Sequence, residues 1–315
     1  MPKFVRMTDT LRTLIFDQSS CRAHLVHLTD AWQRVVSNNN YPAPVQRVLG
    51  ELVAASTMLS ASLKFEGSLI IQIQGDGPIR LLVAECNSRL GLRATVKLAE
   101  GAEIPENANF KDLVNATGKG ICAIILDPRN RLPGQAPYQG IVPLAGTTVA
   151  DSLEAYMHSS EQLETRLILN SDATTAAGVM LQQMPQHGGV VSSKEFDADG
   201  WDRLKALINT LQTEEHLTTE TDELAKRLFW EEDPDGLAER QAHFECTCSR
   251  DKVGKMLVTL GQAELDDALS ENPTVEIQCD FCNANYSFTR AECNALFTEG
   301  ADNEGSSTSQ PPTLH

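Results

Sequence analysis

No stretch of this 315-residue chain approaches the roughly 18 consecutive apolar residues that a membrane-crossing helix needs, so no spanning helix is expected. The start, MPKFVRMTDTLRTL, has no apolar segment followed by a small-residue cleavage site. No secretory signal is therefore expected, and the chain is read as cytoplasmic, where thiols stay reduced. H-E-x-x-H and G-x-S-x-G are missing, and Gly118-Lys119-Gly120 lacks the rest of a P-loop. No catalytic set is in view, and the chain is not read as an enzyme. There is no internal repeat and no basic excess: 26 Lys and Arg stand against 43 Asp and Glu, a net charge of −17.

That charge is unevenly placed. Residues 1–194 hold 17 acids and 17 bases, residues 195–240 hold 14 and 5, and residues 241–315 hold 12 and 4. The last two segments would repel a phosphate backbone, which argues against a nucleic-acid partner. The break near residue 195 is a candidate domain boundary.

What is present points to an α+β fold. Val45, Val48, Leu49, Leu52 and Leu59 recur at helical spacing, which predicts a helix over 43–63. Leu69, Ile71 and Ile73 alternate, Gly75-Asp76-Gly77-Pro78 is a turn signal, and Ile79, Leu81 and Val83 alternate again. Leu92, Ala94, Val96 and Leu98 continue an antiparallel meander with one wet face. Residues 121–126 predict a buried strand and 149–164 a helix. A mixed core domain over 1–190, with an antiparallel sheet and packed helices, is the expectation.

Residues 191–242 form an acidic helical linker in this reading. Trp201, Leu204, Leu207, Ile208 and Leu211 make one apolar stripe after Asp199, a candidate N-cap, and Thr219 with Asp222 resembles a capping box before a second helix. Helices this short need a surface to pack on. The polar tail, 299–315, is expected to be disordered.

Between them, 243–298 carries the chemistry. Cys246-Thr247-Cys248 and Cys279-Asp280-Phe281-Cys282 are two close pairs of soft ligands, thirty residues apart. A tetrahedral four-thiolate zinc site requires this arrangement, since each pair reaches adjacent corners. Val275 and Ile277, then Tyr286 and Phe288, alternate on either side of Cys279–Cys282, which places that pair at a hairpin bend. Zinc as a purely structural ion, or a redox C-x-x-C beside an unrelated C-x-C, are the alternatives. Cys21, Cys86, Cys122 and Cys293 are read as packing, His243 as a weak fifth ligand candidate, and His24 with His27 as an ordinary surface pair.

The two motifs, Cys246-Thr247-Cys248-Ser249-Arg250 and Cys279-Asp280-Phe281-Cys282-Asn283 with Tyr286, closely resemble the zinc module of the bacterial heat shock protein 33 family. Tyr138-Gln139-Gly140-Ile141-Val142, Ser160-Glu161-Gln162-Leu163 and Gly178-Val179-Met180-Leu181-Gln182 resemble its core. The resemblance implies an ATP-independent holdase, inactive while Cys246, Cys248, Cys279 and Cys282 hold one zinc ion. It further implies activation when oxidants convert them to the disulfides Cys246–Cys248 and Cys279–Cys282. Zinc release, unfolding of module and linker, homodimerisation and binding of unfolding client proteins would follow, with no nucleic-acid or membrane partner. On this view zinc is the one strong tie between two distant segments, and two local disulfides would replace it with nothing. The rivals are a zinc-ribbon interaction or nucleic-acid-binding module, which predicts a basic patch, and a thiol oxidoreductase using Cys279 and Cys282.

Overall fold

The computed structural model describes residues 9–131, 136–185 and 196–304. The chain divides into two compact units, Met1–Glu245 and Cys246–His315. The first runs β1 (Thr10–Phe16), β2 (Cys21–Leu28), α1 (Asp30–Ser37), α2 (Ala43–Ser62), β3 (Gly67–Gln74), β4 (Ile79–Asn87), β5 (Gly91–Leu98), α3 (Phe110–Val114), β6 (Ile121–Pro128), β7 (Tyr138–Pro143), α4 (Val149–Tyr156), a π-helical turn (Met157–Glu161), β8 (Thr165–Ser171) and β9 (Ala176–Gln183). It continues through α5 (Gly200–Asn209), α6 (Thr213–Thr218), α7 (Thr221–Phe229), β10 (Gly236–Gln241) and β11 (His243–Phe244). The second unit holds α8 (Arg250–Leu260), α9 (Gln262–Glu271), β12 (Thr274–Gln278), β13 (Asn285–Thr289) and α10 (Arg290–Glu304). The fold is α+β, as the patterning requires.

Two sheets build the first unit, in the orders β10-β1-β2-β9-β8 and β11-β5-β4-β3-β6-β7. Every pairing is antiparallel except β11 with β5. The expected meander is β3–β4–β5, with Leu69 opposite Cys86, Ile71 opposite Ala84 and Ile73 opposite Leu82. The buried helix α2 lies in one apolar core with residues of both sheets, Leu11 and Val26 from one, Ile71 and Leu82 from the other. This explains why its buried positions run almost all round the helix rather than along one stripe. Gly50 permits the approach: a Cβ there would sit 1.9 Å from Ser171 Oγ and 3.1 Å from Trp32.

Residues 200–229 lie on the outer face of the first sheet. Leu204, Ile208, Leu211, Leu224, Leu228 and Phe229 pack with Leu14, Phe16, Ala23, Leu25, Val179 and Leu181, all buried. Each such side chain contributes about 1.5–3 kcal/mol when fully buried, which is what three helices of six to ten residues lack on their own. The chain then adds β10 to the edge of β1, with Thr10 opposite Gln241 and Ile15 opposite Gly236. Buried Arg12 on β1 pairs with Asp222 of α7 at 3.1 Å and with Glu239 of β10.

Several expectations change here. Asp199 does precede α5, but its side chain makes no cap hydrogen bond. The capping box at Thr219 does not form: α7 starts after Glu220, and Asp222 serves Arg12 and Lys226 instead. The helix over 149–164 passes into the π-helical turn and ends at Gln162, which takes φ 55°. α10 continues to Glu304, past the boundary placed at 298. The boundary at 190 and the tail beyond 304 lie outside the described residues.

His24 and His27 are not a surface pair. They sit on a strand, where i, i+3 side chains point to opposite faces, and are 1% and 7% exposed. His27 Nε2 is 3.0 Å from the Leu217 carbonyl of α6. His216 of α6 is 1% exposed, with Nδ1 2.8 Å from Asn170 Nδ2 of β8. Thr213 donates to Asn170 Oδ1 at 3.1 Å, which orients the amide NH₂ toward His216 and makes that imidazole nitrogen an acceptor. Burial, with nearby His27, lowers the His216 pKa to about 4.

The docked state therefore resists a proton that the undocked imidazole would take below its ordinary pKa near 6.5. Docking of α5–α7 should weaken as pH falls from about 6.5 to about 4, by on the order of 3 kcal/mol in full. Hydrogen exchange over residues 200–229 checks this, and His216→Asn should remove most of the dependence in that window.

Candidate metal centre

The second unit brings the two cysteine pairs together. Cys246 and Cys248 lie on the segment entering α8, whose first turn is capped by Ser249 accepting from the Lys252 N–H at 3.2 Å. Cys279 and Cys282 lie in the turn between β12 and β13, whose pairs run from Thr274–Thr289 to Gln278–Asn285. The turn closes through Cys279 N–H to the Ala284 carbonyl, 2.9 Å, and Asn283 N–H to the Cys279 carbonyl, 2.8 Å. Asn283 takes φ 57°, a left-handed conformation that asparagine tolerates better than most residues.

The four Sγ atoms lie within 4.8 Å of one another. Cys246 and Cys279 approach to 3.7 Å, Cys248 and Cys282 to 3.4 Å. None of the eight cysteines is joined in a disulfide. A tetrahedron with Zn–S bonds of about 2.3 Å has edges near ~3.8 Å, so the sulfurs stand at suitable separations to hold one such ion. The donor chemistry agrees. Burial pushes the Cys282 thiol up to about 12, the Ala284 N–H opposes this, and the three facing sulfurs add to the rise. Four thiolates this close repel one another, and a soft-binding divalent cation at their centre removes the repulsion.

Other ties join the same segments. Val253, Leu257, Leu265, Leu269, Phe288 and Cys293 form a small buried cluster. Arg250, two residues after Cys248, donates to Glu292 of α10 at 2.7 Å and stacks 4.2 Å over the Phe288 ring. Tyr286 of β13 donates its hydroxyl to Cys248 Sγ at 3.1 Å. The expectation that a metal alone joins the two stretches is thus too simple. Tyr286 stood in the motif, but nothing in the sequence pattern indicated that its hydroxyl reaches a sulfur.

The remaining candidates fall elsewhere. Cys293 is core, and Cys21, Cys86 and Cys122 are buried in the first unit, where burial pushes their thiols up to about 12 and so disfavours the reactive thiolate. His243 stands outside the four-cysteine group, with Nε2 3.6 Å from Glu245. The Gly118-Lys119-Gly120 loop cradles no phosphate: its Thr117 and Lys119 N–H groups donate to Asp76.

The Hsp33 protein family model matches residues 9–289. The chain belongs to the Hsp33 family. The 33 kDa chaperonin of Methylobacillus flagellatus is 41% identical over 295 residues, covering 93% of this chain and 96% of that protein. The 33 kDa chaperonin of Chromobacterium violaceum is 41% identical over 289 residues, covering 92% and 94%. The crystal structure of the 33 kDa chaperonin (HSP33) from Thermotoga maritima superposes with a TM-score of 0.75 at 21% identity, over 93% of this chain and 99% of that one, which speaks to the fold. Membership of Hsp33, a chaperone family, supports a chaperone function. Within this Hsp33 chain the cysteine quartet is the one group of three or more His, Cys, Asp or Glu side chains, among the described residues, placed to hold a metal ion. No helix among those residues is long and apolar enough to cross a membrane.

Substitutions at two positions test the centre. Cys248→Ala should lower the zinc content of purified reduced protein well below one ion per chain, measured with a chromogenic chelator. Asn283→Val should destabilise the second unit by about 1–2 kcal/mol in thermal unfolding, whereas Asn283→Gly should be tolerated.

Proposed function

We propose that this chain is a redox-regulated, ATP-independent holdase of the cytoplasm, and not an enzyme. Cys246, Cys248, Cys279 and Cys282 hold one zinc ion in the reduced, inactive protein. Zinc, when bound, keeps all four sulfurs as thiolates at neutral pH, the form that oxidants attack. Two peroxide molecules take four electrons from the four thiolates, giving the disulfides Cys246–Cys248 and Cys279–Cys282 and four hydroxide ions. Neither bridge crosses the thirty-residue gap that the quartet closes. The observation that carries this reading is the convergence of four sulfurs from two distant segments within 4.8 Å, in a chain of a chaperone family.

Loss of the donor set removes about 10–16 kcal/mol of apparent binding free energy. A core as small as that of the second unit supplies at most about 3–5 kcal/mol, so the switch module, which starts at Cys246, unfolds despite its Arg250 and Tyr286 contacts. The loss passes into the linker (191–242) along the chain, since only Glu245 separates β11 from Cys246. The linker's apolar stripe and the sheet face beneath it then become available to unfolding client proteins. The core (1–190) carries client binding and dimerises on activation. High negative charge keeps the melted linker soluble and disfavours nucleic acid and anionic membranes as partners.

Peroxide with mild heating should release one zinc per chain, deprotect the amides of 200–229 and suppress aggregation of a thermally unfolding client. Zinc loss with those amides still protected would refute the coupling. Ile208→Asp, which places a charge under the docked linker, should suppress aggregation without oxidant.

A further inference from the structure

Among the four sulfurs, Cys248 receives a hydroxyl. Tyr286 O–H donates to its Sγ at 3.1 Å, from β13 on the far side of the hairpin that carries Cys279 and Cys282. The placement follows from the ladder. Tyr286 sits opposite Ile277 and shares its face with Phe288, which is buried in the small cluster of the second unit. Packing therefore fixes the ring, and the register aims its polar end at the other cysteine segment.

We propose that Tyr286 is a positioning residue that acts through Cys248, its hydroxyl restraining the nucleophilicity of that thiolate and so setting the threshold for oxidation. This rests on the redox reading above and names the group that regulates it. In the first oxidation step a thiolate lone pair attacks one oxygen of hydrogen peroxide. An S–O bond forms, the O–O bond breaks and hydroxide leaves, giving a sulfenic acid. In the second step a neighbouring thiolate attacks that sulfur and displaces another hydroxide, giving the disulfide. A hydrogen bond to the lone pair is strongest in the ground state, where sulfur bears full negative charge, and weakens as that charge is transferred to oxygen. The hydroxyl thus stabilises the reactant more than the transition state. It also offers a contact between the two cysteine segments that a sulfenic acid at Cys248 would disturb.

Tyr286→Phe keeps the ring and removes the hydroxyl. In the full-length reduced protein the variant should retain one metal per chain and release zinc to peroxide about three- to tenfold faster, as expected for loss of part of a charge-assisted hydrogen bond. With cobalt(II) in place of zinc, its sulfur-to-metal charge-transfer band should move to lower energy, because the sulfur lone pair is no longer stabilised; a purely packing role would leave that band in place. Unchanged release and an unchanged band would overturn the proposal while leaving the redox reading intact, since the parent protein still releases zinc. A parent protein that holds its zinc under peroxide overturns both. Should the variant lose its metal, alkylation of the native reduced chain by iodoacetamide, followed by mass spectrometry, decides: slower reaction at Cys248 than at Cys246 supports the restraint, and equal or faster reaction refutes it.

Discussion

Four sulfur atoms within 4.8 Å of one another constrain everything around them in the second unit. As thiolates they repel, as thiols they fill the centre with groups that make poor hydrogen bonds, and a single divalent cation satisfies all four. The local structure is arranged to present them. A serine-capped helix start carries one pair, a tight turn with a left-handed asparagine carries the other, and a two-stranded ladder with three short helices holds both in place. The apolar cluster beneath is small, and an ion held by the four sulfurs would add to its stability.

A different economy governs residues 200–241. Their three helices are too short and too acidic to persist alone, and they hold because seven apolar side chains of the segment reach a complementary sheet face. Polar anchors refine the fit. Arg12 ties α7 and β10 to β1, while two buried histidines, His27 on the sheet and His216 on α6, meet carbonyl and amide partners that accept only the neutral ring at His216. A segment held by burial and by proton-sensitive contacts has a stability that depends on solution conditions.

The family assignment and the geometry inform each other. Membership of Hsp33 names the class of activity, and the sulfur cluster is the group of side chains, among the described residues, placed to hold a metal ion. The buried thiols of Cys21, Cys86, Cys122 and Cys293 set the contrast: the same element, buried singly with its thiol pushed up by desolvation, serves as packing.

Local patterns decided a definite part of this protein. The periodicity of Val45, Val48, Leu49 and Leu52 specified α2, the alternation around Gly75–Pro78 specified the meander, and the C-x-C and C-x-x-C spacings marked the candidate ligands, because each depends on residues close in the chain. Tertiary structure decided the rest. β10, with the sequence GLAERQ, has no strand pattern and is a strand only because the edge of β1 supplies its hydrogen bonds. His24 and His27 resemble surface residues until sheets and helices close over them. Asp222 leaves its expected capping role for Arg12, two hundred and ten positions away. The hydroxyl of Tyr286 finds Cys248 only through the register of a hairpin and the packing of a helix start against it. Contacts between residues far apart in sequence carry no periodic signature, and in this chain they determine how the centre is held and what covers the sheet.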